Sequence, residues 1–185
     1  MARVLVPLAQ GCEELEAVTI IDLLRRANIE VVTASLDEDI IVASRGVRLV
    51  ADVTLADIVD DEFDMIVLPG GMPGAENLDR DDRIHKLIKK HNKMDKFIAA
   101  ICAAPVILAN AGVLMGKRAT SYPGFIDKMS LTDTKILKDS VVIDDKVITS
   151  RGPGTAMDFA LELIEKLLGP EQREAVEKPL MRPEK

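Results

Sequence analysis

The chain has 185 residues and a formal net charge of −7; 48% of its residues are hydrophobic and only 3% are aromatic. This length predicts a single domain spanning residues 1–185, and the negative charge argues against nucleic acid or an anionic membrane as a general partner. Two cysteines, an N-terminal apolar run too short for a signal peptide and no bilayer-length apolar run predict a soluble cytoplasmic protein with reduced thiols.

Short β-branched runs alternate with helical stretches along the chain. In chain order, strands are predicted at residues 4–8, 30–36, 63–68, 96–101, 141–143 and 146–149, and helices at residues 14–27, 81–93 and 156–168. Apolar strands separated by helices indicate a parallel sheet covered on both faces, and ligands bind such sheets at the carboxyl ends of the strands. The tail at residues 178–185, with two prolines and mixed charge, is expected to be loosely held.

Cys102 follows the apolar run 97–101 and precedes small residues and Pro105, which opens a helix. This order is typical of a nucleophile elbow, a sharp turn that lifts one side chain from the end of a strand. A thiol at a helix N-terminus meets unsatisfied N–H groups and a partial positive charge, which favour the thiolate. The alternative interpretation is a small thiol buried at a strand end.

The sequence offers this thiol a carboxyl partner rather than a histidine. His85 and His91 both lie in a polar helical stretch, and a solvated helix face explains them. Glu16 is the better candidate, because helical spacing aligns it with Ile20 and Leu23 on an apolar stripe. A carboxyl in apolar surroundings resists ionisation, so it can donate a hydrogen bond to a thiolate and then act as a general acid. The alternative places Glu16 at the edge of the stripe, in contact with water.

Gly70 and Gly71 follow the strand predicted at residues 63–68. Glycine lets backbone N–H groups approach a reacting atom closely. Together with the N–H of Ala103, the residue after the thiol, the N–H of Gly71 can form an oxyanion hole. An ordinary glycine turn is the alternative. Histidines and cysteines show no metal-ligand spacing, so no metal site is expected.

Charged residues flank the candidate site in the sequence. Glu13 and Glu14 are favourable charges in the first turn of a helix, which accounts for them without a further role. Arg45 and Arg151 each stand in a Ser-Arg-Gly sequence, and either guanidinium can fix an anion or a carboxylate. Taken singly, each can equally be a surface arginine.

Four segments together resemble the ThiJ/PfpI superfamily, also called the DJ-one family, on the branch of the parkinsonism-associated redox protein and bacterial YajL. They are residues 11–18 (GCEELEAV), 64–71 (DMIVLPGG), 99–105 (AAICAAP) and 149–155 (TSRGPGT). The resemblance runs from about residue 2 to residue 180. It implies an α/β fold, a flavodoxin-like (class I glutamine amidotransferase-like) three-layer sandwich with a mostly parallel central sheet. It also implies a homodimer, and no cofactor is expected.

The resemblance also implies roles for individual residues. Cys102 matches the family's nucleophile, which oxidises readily to a sulfinic acid, and Glu16 matches the carboxyl that hydrogen-bonds its sulfur. The remaining matches are the backbone donors Gly71 and Ala103 and the anion-holding arginines Arg45 and Arg151.

Two departures from the family pattern narrow the implied activity. Tyr122 stands where some members carry a histidine, which weakens the case for a glyoxalase because no imidazole can shuttle protons there. Tyr122 itself is a candidate substrate contact. Ala103 stands where protease-like members have a histidine, so proteolysis is not expected. Cys12, just past the first strand, is a candidate resolving thiol for an oxidised Cys102, with a small residue in a tight loop as the alternative.

Two functions follow as hypotheses. In the first, the Cys102 thiolate attacks a reactive dicarbonyl, or the adduct that it forms with an amine or thiol, and Glu16 moves protons, as in deglycase or glyoxalase-like hydrolysis. In the second, the protein is a redox-sensing, oxidative-stress chaperone that works through oxidation of Cys102 without significant turnover. The helix at residues 14–27 is apolar around most of its girth, which fits either a dimer interface or burial within its own domain.

Overall fold

The structure is a computed structural model that describes residues 1–37 and 40–182. Its strands are β1 (Arg3–Leu8), β2 (Glu30–Ser35), β3 (Ile40–Val42), β4 (Arg48–Val50), β5 (Val53–Thr54), β6 (Met65–Leu68), β7 (Phe97–Ile101), β8 (Arg118–Ala119), β9 (Lys135–Ile136), β10 (Val141–Asp144) and β11 (Val147–Ser150). Its α-helices are α1 (Glu14–Arg26), α2 (Leu55–Ile58), α3 (Gly74–Asp79), α4 (Asp82–Lys93), α5 (Pro105–Asn110), α6 (Ala156–Leu168) and α7 (Pro170–Glu177). Short 3-10 helices occur at Ile126–Lys128, Pro153–Thr155 and Lys178–Leu180.

The described residues form a central sheet of seven strands, whose order across the sheet is β10-β11-β7-β6-β1-β2-β5. Neighbouring strands pair in parallel, except that β10 runs antiparallel to β11. The strand order reverses at β1, because the chain continues to β2 on one side and returns to β6 and β7 on the other. Ligands bind at the carboxyl ends of strands beside such a reversal. The predicted mostly parallel sheet is confirmed.

Helices cover the sheet on both faces, and β1 shows why. Val4, Val6 and Leu8 pack into the core under α1, α6 and α7. Leu5, between them, packs into the opposite core under α2, α3, α4 and α5. Because successive side chains of a strand point to opposite faces, an uninterrupted apolar strand needs cover on both sides. The predicted three-layer sandwich is therefore confirmed. Among the described residues, no helix has the length and apolar character to cross a membrane.

The prediction of a solvated helix face for both histidines is wrong for His91. This side chain is buried, with Nδ1 lying 2.9 Å from the carbonyl oxygen of Leu87. With Ile84, Leu87 and Ile88 it completes an i, i+3, i+4, i+7 stripe on α4, so the helix packs its ring against the sheet. Burial lowers the pKa of His91. His85 is partly buried against α3.

The C-terminal segment differs from the expected loose tail. Helix α7, which was not predicted, precedes a 3-10 turn whose Leu180 packs against the core. Arg182 then forms ion pairs with Asp158 at 2.5 Å and with Glu177 at 2.8 Å. These contacts hold residues 178–182 against the helical face, while residues 183–185 lie outside the described residues.

Candidate active site

Cys102 lies at the carboxyl end of β7, where the chain turns before α5. Its φ of +64° falls in the left-handed region, which costs a residue with a side chain roughly 1–2 kcal/mol. The turn is held on both sides, because the Cys102 N–H donates to the Ser150 carbonyl at 3.0 Å and its own carbonyl accepts from the Tyr122 N–H at 2.9 Å. Strained non-glycine backbone held in this way concentrates at functional sites. The strand–turn–helix geometry of the predicted elbow is present.

Glu16 lies on α1 and is fully buried, which excludes the alternative that its carboxyl reaches water. Its Oε2 accepts a hydrogen bond from the Gly70 N–H at 2.9 Å, whereas Oε1 is buried without a partner in hydrogen-bond geometry. Burial raises the pKa of Glu16 to about 7, although the bonds from Gly70 and from the Cys102 thiol counteract this rise. A carboxyl with this pKa can hold a proton near neutral pH, and its burial agrees with the apolar stripe in the sequence.

The Cys102 thiol and the Glu16 carboxyl titrate as a coupled pair. Burial raises the pKa of the thiol, and the negative charge and hydrogen bonding of Glu16 raise it further. The backbone N–H groups of Gly71 and Ala103 act in the opposite direction, because they donate to the sulfur and lower its pKa. Together these effects raise the pKa of the Cys102 thiol to about 12. When Glu16 holds the proton, its negative charge no longer opposes the thiolate.

Close backbone packing requires the glycine pair after β6. A Cβ on Gly70 would lie 2.6 Å from the Cβ of Cys102 and 2.9 Å from Glu16 Oε2. Gly71 has a φ of +89°, and a Cβ there would lie 2.3 Å from the backbone nitrogen of Glu13. The end of β6 therefore packs so closely against α1 and the elbow that neither position has room for a side chain. The pair is thus more than an ordinary turn, since its absent side chains let Gly71 direct its N–H at the sulfur.

Replacing Gly71 with alanine is expected to lower the free energy of unfolding by about 3 kcal/mol or more, because steric overlap adds to the left-handed φ. Gly112→Ala is the matched control. Its φ is +77° and nothing lies within 4 Å of the added Cβ, so it carries only the conformational cost of roughly 1–2 kcal/mol. Urea unfolding of both variants separates the two contributions; equal losses would contradict the steric one.

Cys102 opens into a pocket of about 390 Å³ at the carboxyl edge of the sheet. Its wall consists of Glu13, Ser44, Arg45, Gly71, Met72, Cys102, Ala103, Tyr122, Phe125 and Pro153. The structure therefore brings the predicted Arg45, Gly71, Ala103 and Tyr122 together at the thiol. Ser44, Met72, Phe125 and Pro153 were not predicted. In the described part of the chain this wall includes no histidine, and no cluster of three or more metal-ligating side chains occurs there.

Arg45 reaches the pocket from the tip of a hairpin formed by β3 and β4, which lies apart from the central sheet. The hairpin docks on the loop after β1, where the Gly11 N–H donates to the Val42 carbonyl at 2.8 Å. The Arg45 side chain is exposed. The Ser-Arg-Gly sequence is a local signal for this turn, because the turn needs a residue with a positive φ and Gly46 adopts one of +91°.

Tyr122 and Arg151 occupy different surroundings. The Tyr122 ring lies in the pocket wall, packs edge-on against Phe125 at a centroid distance of 6.2 Å and lies over Gly152. Arg151 donates from Nη1 to the Lys138 carbonyl at 3.1 Å and does not contribute to the described wall. Of the two predicted anion-binding arginines, the structure brings Arg45 to the thiol.

Cys12 is fully buried in the loop between β1 and α1. Burial first, and then the charges of Glu14 and Glu13, raise the pKa of its thiol to about 12. Both cysteines are free thiols, and Cys12 does not contribute to the described pocket wall. Its predicted role as a resolving thiol stays a prediction.

Comparisons with known proteins place this geometry in a family. The model of the DJ-1/PfpI family matches residues 2–166. The chain is 45% identical over 184 residues to Protein DJ-1 homolog B of Arabidopsis thaliana, an alignment that covers 98% of this chain but 42% of that protein. The chain thus spans less than half the length of this relative.

Two further relatives match over nearly their whole length. The chain is 40% identical to the Glutathione-independent glyoxalase DJR-1.2 of Caenorhabditis elegans, with 97% of this chain and 95% of that protein aligned. A solved structure of oxidized Toxoplasma gondii DJ-1 superposes with a TM-score of 0.94 at 41% identity and covers 100% of both chains. The flavodoxin-like fold is therefore shown by structure as well as by sequence.

Proposed function

Because the chain belongs to the DJ-1/PfpI family, we propose that it is a Cys102-dependent enzyme acting on small reactive dicarbonyls. The adducts that these compounds form with thiols and amines are included in the proposed substrate class. The observation that carries the proposal is a single arrangement: a thiol on a left-handed turn, beside a buried carboxyl and two backbone N–H donors. A pocket of about 390 Å³ suits a small substrate.

Thiolate attack is the proposed first step. The Cys102 sulfur adds to the aldehyde carbon of the dicarbonyl, and the carbonyl electron pair moves to oxygen. The N–H groups of Gly71 and Ala103, which already point at the sulfur, are then placed to donate to that developing oxyanion. Protonation of the oxygen gives a hemithioacetal bound to the enzyme.

Proton transfer by Glu16 completes the proposed reaction. The carboxylate removes the proton from the former aldehyde carbon and returns it to the neighbouring carbon. The hydroxyl proton of the hemithioacetal moves to the neighbouring oxygen in the same conversion, which gives the thioester of a 2-hydroxy acid. Water then hydrolyses the thioester, so one dicarbonyl and one water give one hydroxy acid and the free thiol. A carboxyl with a pKa raised to about 7 suits transfers in both directions near neutral pH. Glu16 thus takes the proton-transfer role that a histidine would otherwise fill, because the described pocket wall contains no histidine.

Arg45 and Tyr122 are proposed to hold the substrate. The exposed Arg45 guanidinium in the pocket wall can donate hydrogen bonds to a carbonyl oxygen of the neutral dicarbonyl and can pair with the carboxylate of the hydroxy-acid product. The Tyr122 ring forms an apolar side of the pocket. Anion binding is proposed for Arg45 rather than Arg151, whose guanidinium is engaged with the Lys138 carbonyl. A cytoplasmic location, where Cys102 stays reduced, is part of the proposal.

The proposal is tested by incubating the protein with methylglyoxal and following the reaction by proton NMR. We expect loss of the aldehyde and stoichiometric appearance of lactate without added glutathione. The same measurement with the methylglyoxal hemithioacetal of a simple thiol separates free dicarbonyls from adducts as substrates. No lactate from either source would contradict the proposed activity.

A redox-sensing, oxidative-stress chaperone is the second candidate function. The N–H groups of Gly71 and Ala103, which lower the pKa of the thiol, can also donate to a sulfinate at Cys102, and a protonated Glu16 can do the same. The Toxoplasma gondii relative was solved in an oxidized form. Mass spectrometry after peroxide treatment is expected to find two added oxygens at Cys102 before any change at Cys12. An equal response of both thiols would contradict the sensor.

The proposed partner is a second copy of this chain. Leu15 and Val18 on α1 are 51% and 47% exposed, and Val50 on the neighbouring hairpin is 73% exposed. The apolar girth of α1 is therefore not fully covered by its own domain, which favours the dimer over the alternative left open by the sequence. Val18→Glu is expected to convert a dimer into a monomer in light scattering. Met115→Glu, at a 73% exposed position elsewhere, is the control that should leave the mass unchanged.

A further inference from the structure

Glu14 begins α1, and its carboxylate holds the turn of residues 44–47. Only 9% of the residue is exposed. The Arg45 N–H donates to Glu14 Oε1 at 2.9 Å and to Oε2 at 3.1 Å, and the Val47 N–H donates to Oε1 at 3.4 Å. The Ser44 hydroxyl, with its one hydrogen, lies 3.0 Å from Glu14 Oε2 and 2.7 Å from Glu13 Oε2. Two backbone donors of the turn, the N–H groups of Arg45 and Val47, thus converge on the Glu14 carboxylate.

Backbone hydrogen bonds close the turn around this anchor. The Ala43 N–H donates to the Val47 carbonyl at 2.9 Å and the Gly46 N–H to the Ala43 carbonyl at 3.0 Å, while the Ser44 N–H donates to the Cys12 carbonyl at 2.8 Å. The N–H of Arg45 itself donates to the Glu14 carboxylate. Gly46 has a φ of +91° and open space where a side chain would stand. The direction of the exposed Arg45 side chain toward the pocket therefore depends on the backbone that Glu14 anchors.

The charge of Glu14 matters to this anchor. Partial burial acts to raise the pKa of the carboxyl, but hydrogen bonds from the Ser44 hydroxyl and from the backbone, including Val47 and Arg45, lower it overall. The group is therefore ionised at neutral pH, and hydrogen bonds to a charged acceptor are stronger than those to a neutral one. The contacts between Glu14 and Arg45 are with the backbone, so the guanidinium is left to face the pocket.

We infer that Glu14 is a positioning residue, whose carboxylate holds the turn of residues 44–47 so that the Arg45 guanidinium meets an anionic group bound beside Cys102. The inference rests on the proposed function, in which Arg45 binds a carbonyl oxygen of the substrate and the carboxylate of the product. Glu14 does not contribute to the described pocket wall. Its influence therefore falls on binding and leaves the chemistry at the sulfur unchanged.

The kinetic test compares Glu14→Gln with Arg45→Ala, the double variant and Glu14→Asp. In Glu14→Gln we expect the KM for methylglyoxal and the inhibition constant of lactate to rise about three- to tenfold, with kcat within about twofold. Arg45→Ala should raise the same two constants, and the double variant should not exceed Arg45→Ala, because one residue acts through the other. Glu14→Asp keeps the charge on a shorter side chain, so its two constants should lie between those of the unsubstituted protein and those of Glu14→Gln. Glu62→Gln, a control with a 71% exposed side chain, should change neither constant.

A second measurement tests the anchor without any turnover. Amide hydrogen exchange by NMR is expected to be at least about tenfold faster at Arg45 in Glu14→Gln, with the amides of the central sheet unchanged. Unchanged exchange at Arg45 would overturn the anchor whatever the activity. Arg45→Ala with a raised lactate constant but Glu14→Gln without one would overturn the inference and leave the proposed function standing. An Arg45→Ala variant that binds lactate normally would overturn the role of Arg45, and the inference with it.

Discussion

Replacing Cys102 with serine is expected to lower kcat/KM for methylglyoxal at least about a thousandfold. A hydroxyl ionises far less readily than a thiol, so serine needs an adjacent base to become a nucleophile. In the described pocket wall no histidine stands ready to supply that base, and the proposed reaction already uses Glu16 to move the carbon proton. The loss should appear in kcat, because the pocket that binds the dicarbonyl is left intact.

Cys12→Ser is the matched control for this prediction. Cys12 is the other cysteine of the chain and is fully buried outside the described pocket wall, so its loss should leave turnover within about twofold. Initial rates for both variants are measured with protein kept in a reducing buffer, which prevents oxidation at Cys102. Retention of most of the rate by Cys102→Ser would contradict the mechanism, and a comparable loss in Cys12→Ser would point to a role of the second thiol.

The parts of the fold that were predicted are those whose local pattern is set by burial alone. Strands such as β1 and β7 are covered on both faces and therefore appear in the sequence as uninterrupted apolar runs. Helix α7 escaped prediction because it is polar and buries Val176 as its one buried residue in the described structure. The hairpin of β3 and β4 escaped because its strands are three residues long and mostly exposed, which leaves little alternation to detect.

The candidate site shows the same division between local and tertiary information. Glu16 was predicted because a carboxyl on an apolar stripe has no local explanation. Glu14 had a sufficient local explanation in the first turn of α1, so nothing in the sequence indicated its hydrogen bonds to a turn 31 residues away. His91 was a missed signal, since its spacing from Ile84 and Leu87 already placed it on the buried stripe of α4. Local sequence patterns could indicate the burial of Glu16 and His91, whereas the role of Glu14 depends on a long-range contact that no local pattern reveals.

Glu16→Gln is expected to remove a pH dependence from the stability of the protein. Burial raises the pKa of this carboxyl from 4.5 to about 7 in the folded chain. The folded state therefore keeps the proton over a range in which the unfolded chain has already lost it. The stabilisation is complete below the unfolded value and is lost as the pH rises through the folded value. Integrated over this window, the free energy of unfolding falls by about 3 kcal/mol. Full burial of Glu16 leaves little solvent screening to reduce this change.

Urea unfolding of the two proteins at about pH 5 and about pH 8 measures this difference. A glutamine can still accept the Gly70 hydrogen bond, and its amide can occupy the position of Oε1, which has no partner. We therefore expect similar stabilities at the lower pH and a variant more stable by about 3 kcal/mol at the higher pH. Carboxyls with lowered pKa values, such as Glu14 and Asp52, change stability below this window and do so in both proteins, so they cancel. An identical pH response would show that Glu16 ionises normally. Turnover should fall in the same variant, because an amide cannot carry the proton. Glu16 would then weaken the fold at the higher pH while it supports the chemistry, as is typical of functional residues.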